Sequence, residues 1–84
     1  MDISVIIPVF NEERTLPSII EIVRAWGKAR EIVIVDDGST DKTAASVKQF
    51  LSDGITLIRH KRNVGKAAAM ADGILGSRNE VIMF

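Results

Sequence analysis

Apolar, β-branched runs separated by short polar clusters set the rhythm of this chain. Ile3-Ser4-Val5-Ile6-Ile7, Ile32-Val33-Ile34-Val35 and Ile55-Thr56-Leu57-Ile58-Arg59 read as strands, and Glu80-Val81-Ile82-Met83-Phe84 as a fourth. The second run shows no alternation, which predicts a strand covered on both faces and hence a parallel α/β sheet. Between strands the period becomes helical. Leu16, Ile19, Ile20, Val23 and Trp26, with Ile22 widening the stripe, predict a helix over 13–26 stopped by Gly27. Pro17 moves its start slightly later, because proline is favoured in a first turn. Ala44, Val47, Phe50 and Leu51 predict a second helix, capped by Ser39-Thr40-Asp41 and ended by Gly54. Ala67, Met70, Ala71, Ile74 and Leu75 predict a third, closed by Gly76. Trp26, Phe50 and Met70 are expected in the core. Three crossovers of this length imply parallel strands joined right-handedly.

The chemistry lies where the strands stop. Ligands of open α/β sheets bind just past the carboxyl ends of the strands, and Asp36 and Asp37 stand there, followed by Gly38. A carboxylate pair needs donors, which a nucleobase or ribose supplies. In the plainer reading, one Asp caps the next helix and the other is solvated. The first strand ends in Pro8-Val9-Phe10-Asn11-Glu12-Glu13, which puts a second acidic cluster on the same sheet edge. Glu12 and Glu13 also suit a helix N-terminus electrostatically. After the third strand, His60-Lys61-Arg62-Asn63-Val64-Gly65-Lys66 opens a helix, so backbone N–H groups, Gly65 and Lys66 could face an anion. The Gly-Lys pair is not a Walker loop. His60 and Lys61 read as a solvated basic turn, Lys66 also fits a first-turn lysine with its head in water, and Arg62 could tie the loops together by pairing with a strand-end carboxylate.

Composition narrows the class. The chain of 84 residues is 46% hydrophobic and 26% charged with formal net charge zero, which speaks against a nucleic-acid surface or a polybasic anchor. Without cysteine it has neither disulfides nor thiolate chemistry. The apolar run 3–7 is too short for a membrane span or a signal peptide, so a soluble, cytoplasmic domain is expected.

Ser4-Val5-Ile6-Ile7-Pro8-Val9-Phe10-Asn11-Glu12, Ile34-Val35-Asp36-Asp37-Gly38-Ser39-Thr40-Asp41 and Arg62-Asn63-Val64-Gly65-Lys66-Ala67-Ala68-Ala69 together resemble the family 2 glycosyltransferases. More narrowly they look like the branch that transfers sugars to dolichyl or undecaprenyl phosphate. Phe10 departs from the tyrosine frequent in that family, so any hydroxyl contact there is lost. The resemblance implies a Rossmann-like GT-A fold, a three-layer α/β/α domain with a parallel sheet of about four strands in order 3-2-1-4. It implies an enzyme using a UDP- or GDP-linked sugar donor, with a polyprenyl phosphate or polysaccharide acceptor. The nucleotide-sugar site would comprise Pro8, Phe10, Glu12, Asp36, Asp37, Gly65 and Lys66, with Asp37 reading the base. Ionised Asp only accepts hydrogen bonds, and uracil and guanine offer a ring N–H where adenine and cytosine offer none.

The same resemblance sets expectations for what lies outside these residues. A divalent Mg²⁺ or Mn²⁺ would be held by an Asp-x-Asp pair beyond Phe84, and the acceptor's general base would also lie downstream. Residues 1–84 are therefore expected to be the N-terminal nucleotide-sugar-binding part of a longer domain, with no metal site or catalytic residue of their own and no transfer activity alone. The complete protein would work at the cytoplasmic face of a membrane. With order 3-2-1-4 the fourth strand is an apolar edge, which predicts a homodimer through that strand. Two other classes are weighed. A receiver domain carries its Asp pair on the first strand, whereas here that strand ends in Pro-Val-Phe-Asn-Glu. A non-catalytic nucleotide-binding or scaffold module is separated from the enzyme by turnover.

Overall fold

The computed structural model describes residues 2–52, 54–76 and 80–83. Four strands, β1 (Ile3–Val9), β2 (Glu31–Asp36), β3 (Ile55–Arg59) and β4 (Glu80–Met83), form one parallel sheet in the order β3-β2-β1-β4. The helices are α1 (Leu16–Trp26), α2 (Thr43–Ser46) and α3 (Lys66–Gly76). The expected fold class and strand order are thus observed; Phe84, expected to end the fourth strand, lies outside the described residues.

Side-chain parity along the strands divides the core into two layers. Val5, Ile7, Val9, Ile32, Ile34 and Ile55 pack with Leu16, Ile20 and Val23 of α1 and with Val47. Ile6, Val33 and Val35 point the other way and meet Ala69 of α3. Successive side chains of a strand alternate in direction, so residues two apart share a face. The first two crossovers lie on one face and α3 on the other. The chain therefore reverses direction across the sheet, and the crevice beside the carboxyl end of β1 is the switch point where such sheets bind ligands.

Pro8 sits inside β1, opposite Val35, although proline was expected to end the strand. The carbonyls of Ile3 and Val9 accept N–H groups of Arg30 and Asp37 from the β2 side. Even-numbered residues of β1 therefore present their amides toward β4. The β1–β4 register runs from Ile3 opposite Glu80 to Ile6 opposite Met83, so the N–H that Pro8 lacks falls beyond its described part.

Three helix expectations need correction. α1 begins at Leu16, with Thr15 as N-cap and Pro17 in its first turn, and ends with Gly27 in the left-handed conformation. Its buried stripe is Leu16, Ile20 and Val23, which leaves Trp26 at the stripe's edge, 45% exposed, and Ile22 farther round at 62%. The second helix is far shorter than predicted. α2 spans four residues and tightens into a 3-10 turn at Lys48–Phe50. Ser46 Oγ donates to the Thr43 carbonyl at 2.7 Å, a side-chain bond that competes with the helical ladder there.

α3 buries Ala69 and Gly73 instead of the predicted face, and leaves Ala67, Ala71, Ile74 and Leu75 exposed with Met70 half-buried. A Cβ at Gly73 would lie 2.3 Å from Ile6 Cγ2. The helix approaches the sheet so closely that residue size, not hydropathy, selects the buried face.

Candidate functional site

The first two strand-end loops are laced together. Asn11 has φ 53, a left-handed conformation that Asn tolerates better than most residues. That turn aims its backbone N–H at Ser39 Oγ (2.8 Å) while its Oδ1 accepts the Thr40 N–H (2.9 Å). The Glu12 N–H donates to Thr43 Oγ1 at 2.8 Å, and Asp41 accepts from the Thr43 N–H at 2.8 Å, from the Thr43 hydroxyl, and from the Glu13 N–H at 3.4 Å. Desolvation pushes the Asp41 carboxyl up, but the bonds from Thr43 and Glu13 outweigh it and hold the pKa below 3.8. The Ser-Thr-Asp cluster, read as a helix cap, thus spends much of its bonding on the neighbouring loop.

The Asp pair splits by parity. Asp36 continues the Ile32–Ile34 face and is fully buried. Its Oδ1 accepts the Ser39 N–H at 2.9 Å, and its Oδ2 lies 3.7 Å from Arg59 Nε with no hydrogen bond. The arginine near a strand-end carboxylate is therefore Arg59 rather than Arg62. Asp37 continues the Val33–Val35 face toward α3 and is 3% exposed. Its Oδ1 accepts from the Val64 N–H (2.9 Å) and lies 2.8 Å from His60 Nδ1, and its Oδ2 accepts the Gly65 N–H (2.9 Å). The His60 bond, then the Val64 and Gly65 amides, lower the Asp37 pKa below 3.8 despite its burial.

The third loop meets the second at Gly38. With φ 77, and with a hypothetical Cβ 2.3 Å from the Arg62 carbonyl carbon and 2.4 Å from the Asn63 nitrogen, this position admits only glycine without movement. Gly65 has φ 99 and shares its N–H between Asp37 Oδ2 and Asn63 Oδ1 (3.1 Å). The amide expected to face an external anion thus satisfies the protein's own carboxylate. His60 departs most from expectation. Its side chain is only 14% exposed, and Nε2 lies 2.6 Å from Asp72 Oδ2.

A cavity of about 240 Å³ opens at the switch point, lined by Pro8, Val9, Phe10, Glu12, Asp37, Asn63, Lys66 and Ala69. Five of the expected residues, Pro8, Phe10, Glu12, Asp37 and Lys66, meet there, whereas Asp36 and Gly65 are not among its lining. Asn63 and Ala69 lay within a quoted motif but carried no signal of their own. The His60–Asp72 contact spans 12 residues and has no local signature. Among the described residues no group of three or more His, Cys, Asp or Glu could hold a metal ion, so these residues alone do not fit the divalent cation that the resemblance implies. Among them too, no helix is long and apolar enough to cross a membrane.

The sequence profile described as "Glycosyl transferase family 2" matches residues 4–84, nearly the whole chain. The chain belongs to glycosyl transferase family 2. Its relatives include the dodecaprenyl-phosphate galacturonate synthase of Rhizobium johnstonii, 34% identical over 98% of this chain and 26% of the relative. The undecaprenyl-phosphate 4-deoxy-4-formamido-L-arabinose transferase of Pectobacterium carotovorum is 37% identical over 98% of this chain and 27% of the relative. Among solved structures, a mannosyltransferase from Pyrobaculum calidifontis in complex with GDP-Man and Mn²⁺ superposes with TM-score 0.83 at 25% identity, covering 90% of this chain and 24% of that one. The chain thus spans about a quarter of the length of these family 2 proteins. The fold is the Rossmann-like GT-A arrangement of glycosyltransferases.

Proposed function

We propose that residues 1–84 form the N-terminal nucleotide-sugar-binding part of a GT-A glycosyltransferase that takes a UDP- or GDP-linked donor and transfers its sugar to a polyprenyl phosphate. The observation that carries the reading is the Asp37 carboxylate, held ionised on the cavity wall. An ionised carboxylate offers about four acceptor sites, and three are filled by His60, Val64 and Gly65. One on Oδ2 remains for a ring N–H. Asn63 Oδ1 is taken by Gly65, which leaves its amide donors for the carbonyl next to that ring N–H in uracil or guanine. Lys66, the one cationic residue among the cavity's described lining, suits the diphosphate. Pro8 and Phe10 supply apolar surface for the base, and Glu12 an acceptor for ribose hydroxyls. Asp36 acts indirectly, by holding the turn that carries Asp37.

The names of the relatives support a polyprenyl-phosphate acceptor, a membrane lipid, and we place the complete protein's work at the cytoplasmic face of that membrane as part of the same proposal; the Mn²⁺ of the mannosyltransferase complex supports a divalent cation. In this reading Mg²⁺ or Mn²⁺ is held by carboxylates other than those described, and would stabilise the leaving diphosphate. β4 is an outer strand of the described sheet, so pairing with a second copy through it belongs to the same proposal and is tested by sedimentation.

Calorimetric titration with UDP, GDP, ADP and CDP tests the base-reading role. UDP or GDP should bind at least about tenfold more tightly than ADP and CDP, the worth of one charge-assisted hydrogen bond. Asp37→Asn should erase most of that preference, because its amide presents a donor to the base N–H. Equal affinity for all four nucleotides would remove the case for Asp37.

A further inference from the structure

The ring of His60 stands between two carboxylates, Nδ1 2.8 Å from Asp37 Oδ1 and Nε2 2.6 Å from Asp72 Oδ2. A neutral imidazole carries one N–H and one lone pair, and ionised carboxylates carry no proton to donate. Both short contacts are satisfied together only by an imidazolium, whose two N–H groups then make charge-assisted bonds. Asp37, from the end of β2, and Asp72, from α3, are the charges that act on the ring. Arg59 precedes it and leans toward Asp36, Lys61 and Arg62 follow it exposed in the loop, and Lys66 lies on the cavity wall. The bond to Asp37, then that to Asp72, raise the ring's pKa above 6.5 against the opposing effect of burial.

We propose that His60 is a positioning residue for the nucleoside-diphosphate site: as an imidazolium it seats the Asp37 carboxylate and ties it to Asp72 of α3, the helix that contributes Lys66 and Ala69 to the cavity wall. The ligand is the one proposed above, and the inference rests on that reading for it. When the ring loses its proton, one of its two bonds must go. Asp37 is shielded and also held by two backbone amides, whereas the Asp72 side chain is 49% exposed. Asp72 is therefore the partner released. The helix that carries Lys66 loses its tether, and one positive charge leaves the neighbourhood of a multiply charged anion. Both effects weaken binding as the pH rises. Asp37 keeps the Nδ1–H in either state, so its strength as a base acceptor changes little.

His60 is the chain's one histidine, so its ring nitrogens are assigned without ambiguity in a ¹⁵N-histidine-labelled sample. Ring shifts and calorimetric affinities for UDP and GDP are recorded between about pH 5.5 and 9, the range that brackets an ordinary or raised imidazole pKa. Both nitrogens should carry protons at the acid end of that range, and the ring should titrate above 6.5. Affinity should fall about fivefold or more as the ring titrates, and saturating nucleotide should raise the ring's pKa reciprocally. Asp72→Asn, at a half-exposed position where folding is not at risk, should lower the midpoint toward 6.5 and flatten the affinity profile. His60→Gln should lose the fall in affinity that tracks the ring and bind near the weaker, alkaline level of the parent chain. A ring that titrates at or below 6.5, or an affinity that stays flat while the ring titrates, overturns the positioning role and leaves the nucleotide reading intact. Binding of neither nucleotide at any pH, with the ring titrating high, overturns both.

Discussion

At the scale of single residues, the site depends on backbone positions as much as on carboxylates. Gly38 and Gly65 both hold positive φ, but only Gly38 is also crowded, by the Arg62 and Asn63 backbone; a Cβ at Gly65 would meet nothing within 4 Å. Gly65→Ala should therefore cost only the left-handed strain, about 1–2 kcal/mol. Gly38→Ala adds an overlap with backbone that cannot rotate away, bringing the total to about 2–5 kcal/mol. It should also abolish the proposed nucleotide binding, because separating the loops breaks the Val64 and Gly65 bonds to Asp37. Thermal unfolding of the two variants side by side checks the order, and a Gly65→Ala variant less stable than Gly38→Ala would contradict it.

At the scale of elements, α3 is the least expected piece. Its sheet-facing side carries Ala69 and Gly73, so the helix lies close over Ile6 and Val35 and brings its first turn to the cavity. Replacing a mid-helix glycine by alanine ordinarily gains about 1 kcal/mol of helix propensity. Here the new Cβ would lie 2.3 Å from Ile6 Cγ2 and 3.2 Å from Val35 Cγ2, both on fully buried side chains that have little room to move. Overpacking costs about 1–3 kcal/mol, so the net effect should be a loss near 1 kcal/mol, or about 4–8 °C in Tm for a domain of this size. A higher Tm for Gly73→Ala would mean that α3 sits farther from the sheet than described.

For the whole molecule, the titrating groups make stability a plateau in pH. The pKa values of Asp37 and Asp41 are depressed below 3.8, so the stability they contribute is present above 3.8 and is lost as the pH falls through their lowered values. His60 is shifted the other way. Its contribution is complete below 6.5 and is lost as the pH rises through its raised value. Tm should therefore be highest between about pH 4 and 6.5 and decline on both sides. The alkaline decline should vanish in His60→Gln while the acid decline stays. A single slope across the whole range, or an alkaline decline unchanged in that variant, would show that the His60 bridge does not contribute to stability.

The sequence by itself determined the alternation of strand and helix, the parallel sheet, the place of the crevice at the strand ends, and five of the residues that line the cavity. These follow from local signals: unbroken β-branched runs, turn clusters, and the rule that strand carboxyl ends carry ligands. Tertiary structure decided what depends on direction and approach. Which Asp of the pair faces the crevice is set by strand parity relative to the layer that α3 covers. Which face of α3 is buried is set by how close the helix comes to Ile6, a distance that hydropathy does not encode. His60 looked like one member of a basic turn because both of its partners are distant in sequence, Asp37 by 23 residues and Asp72 by 12. Sequence spacing encodes neighbours along a strand or a helix, whereas a charge relay between a strand end, a loop and a helix exists only once the crossovers have closed.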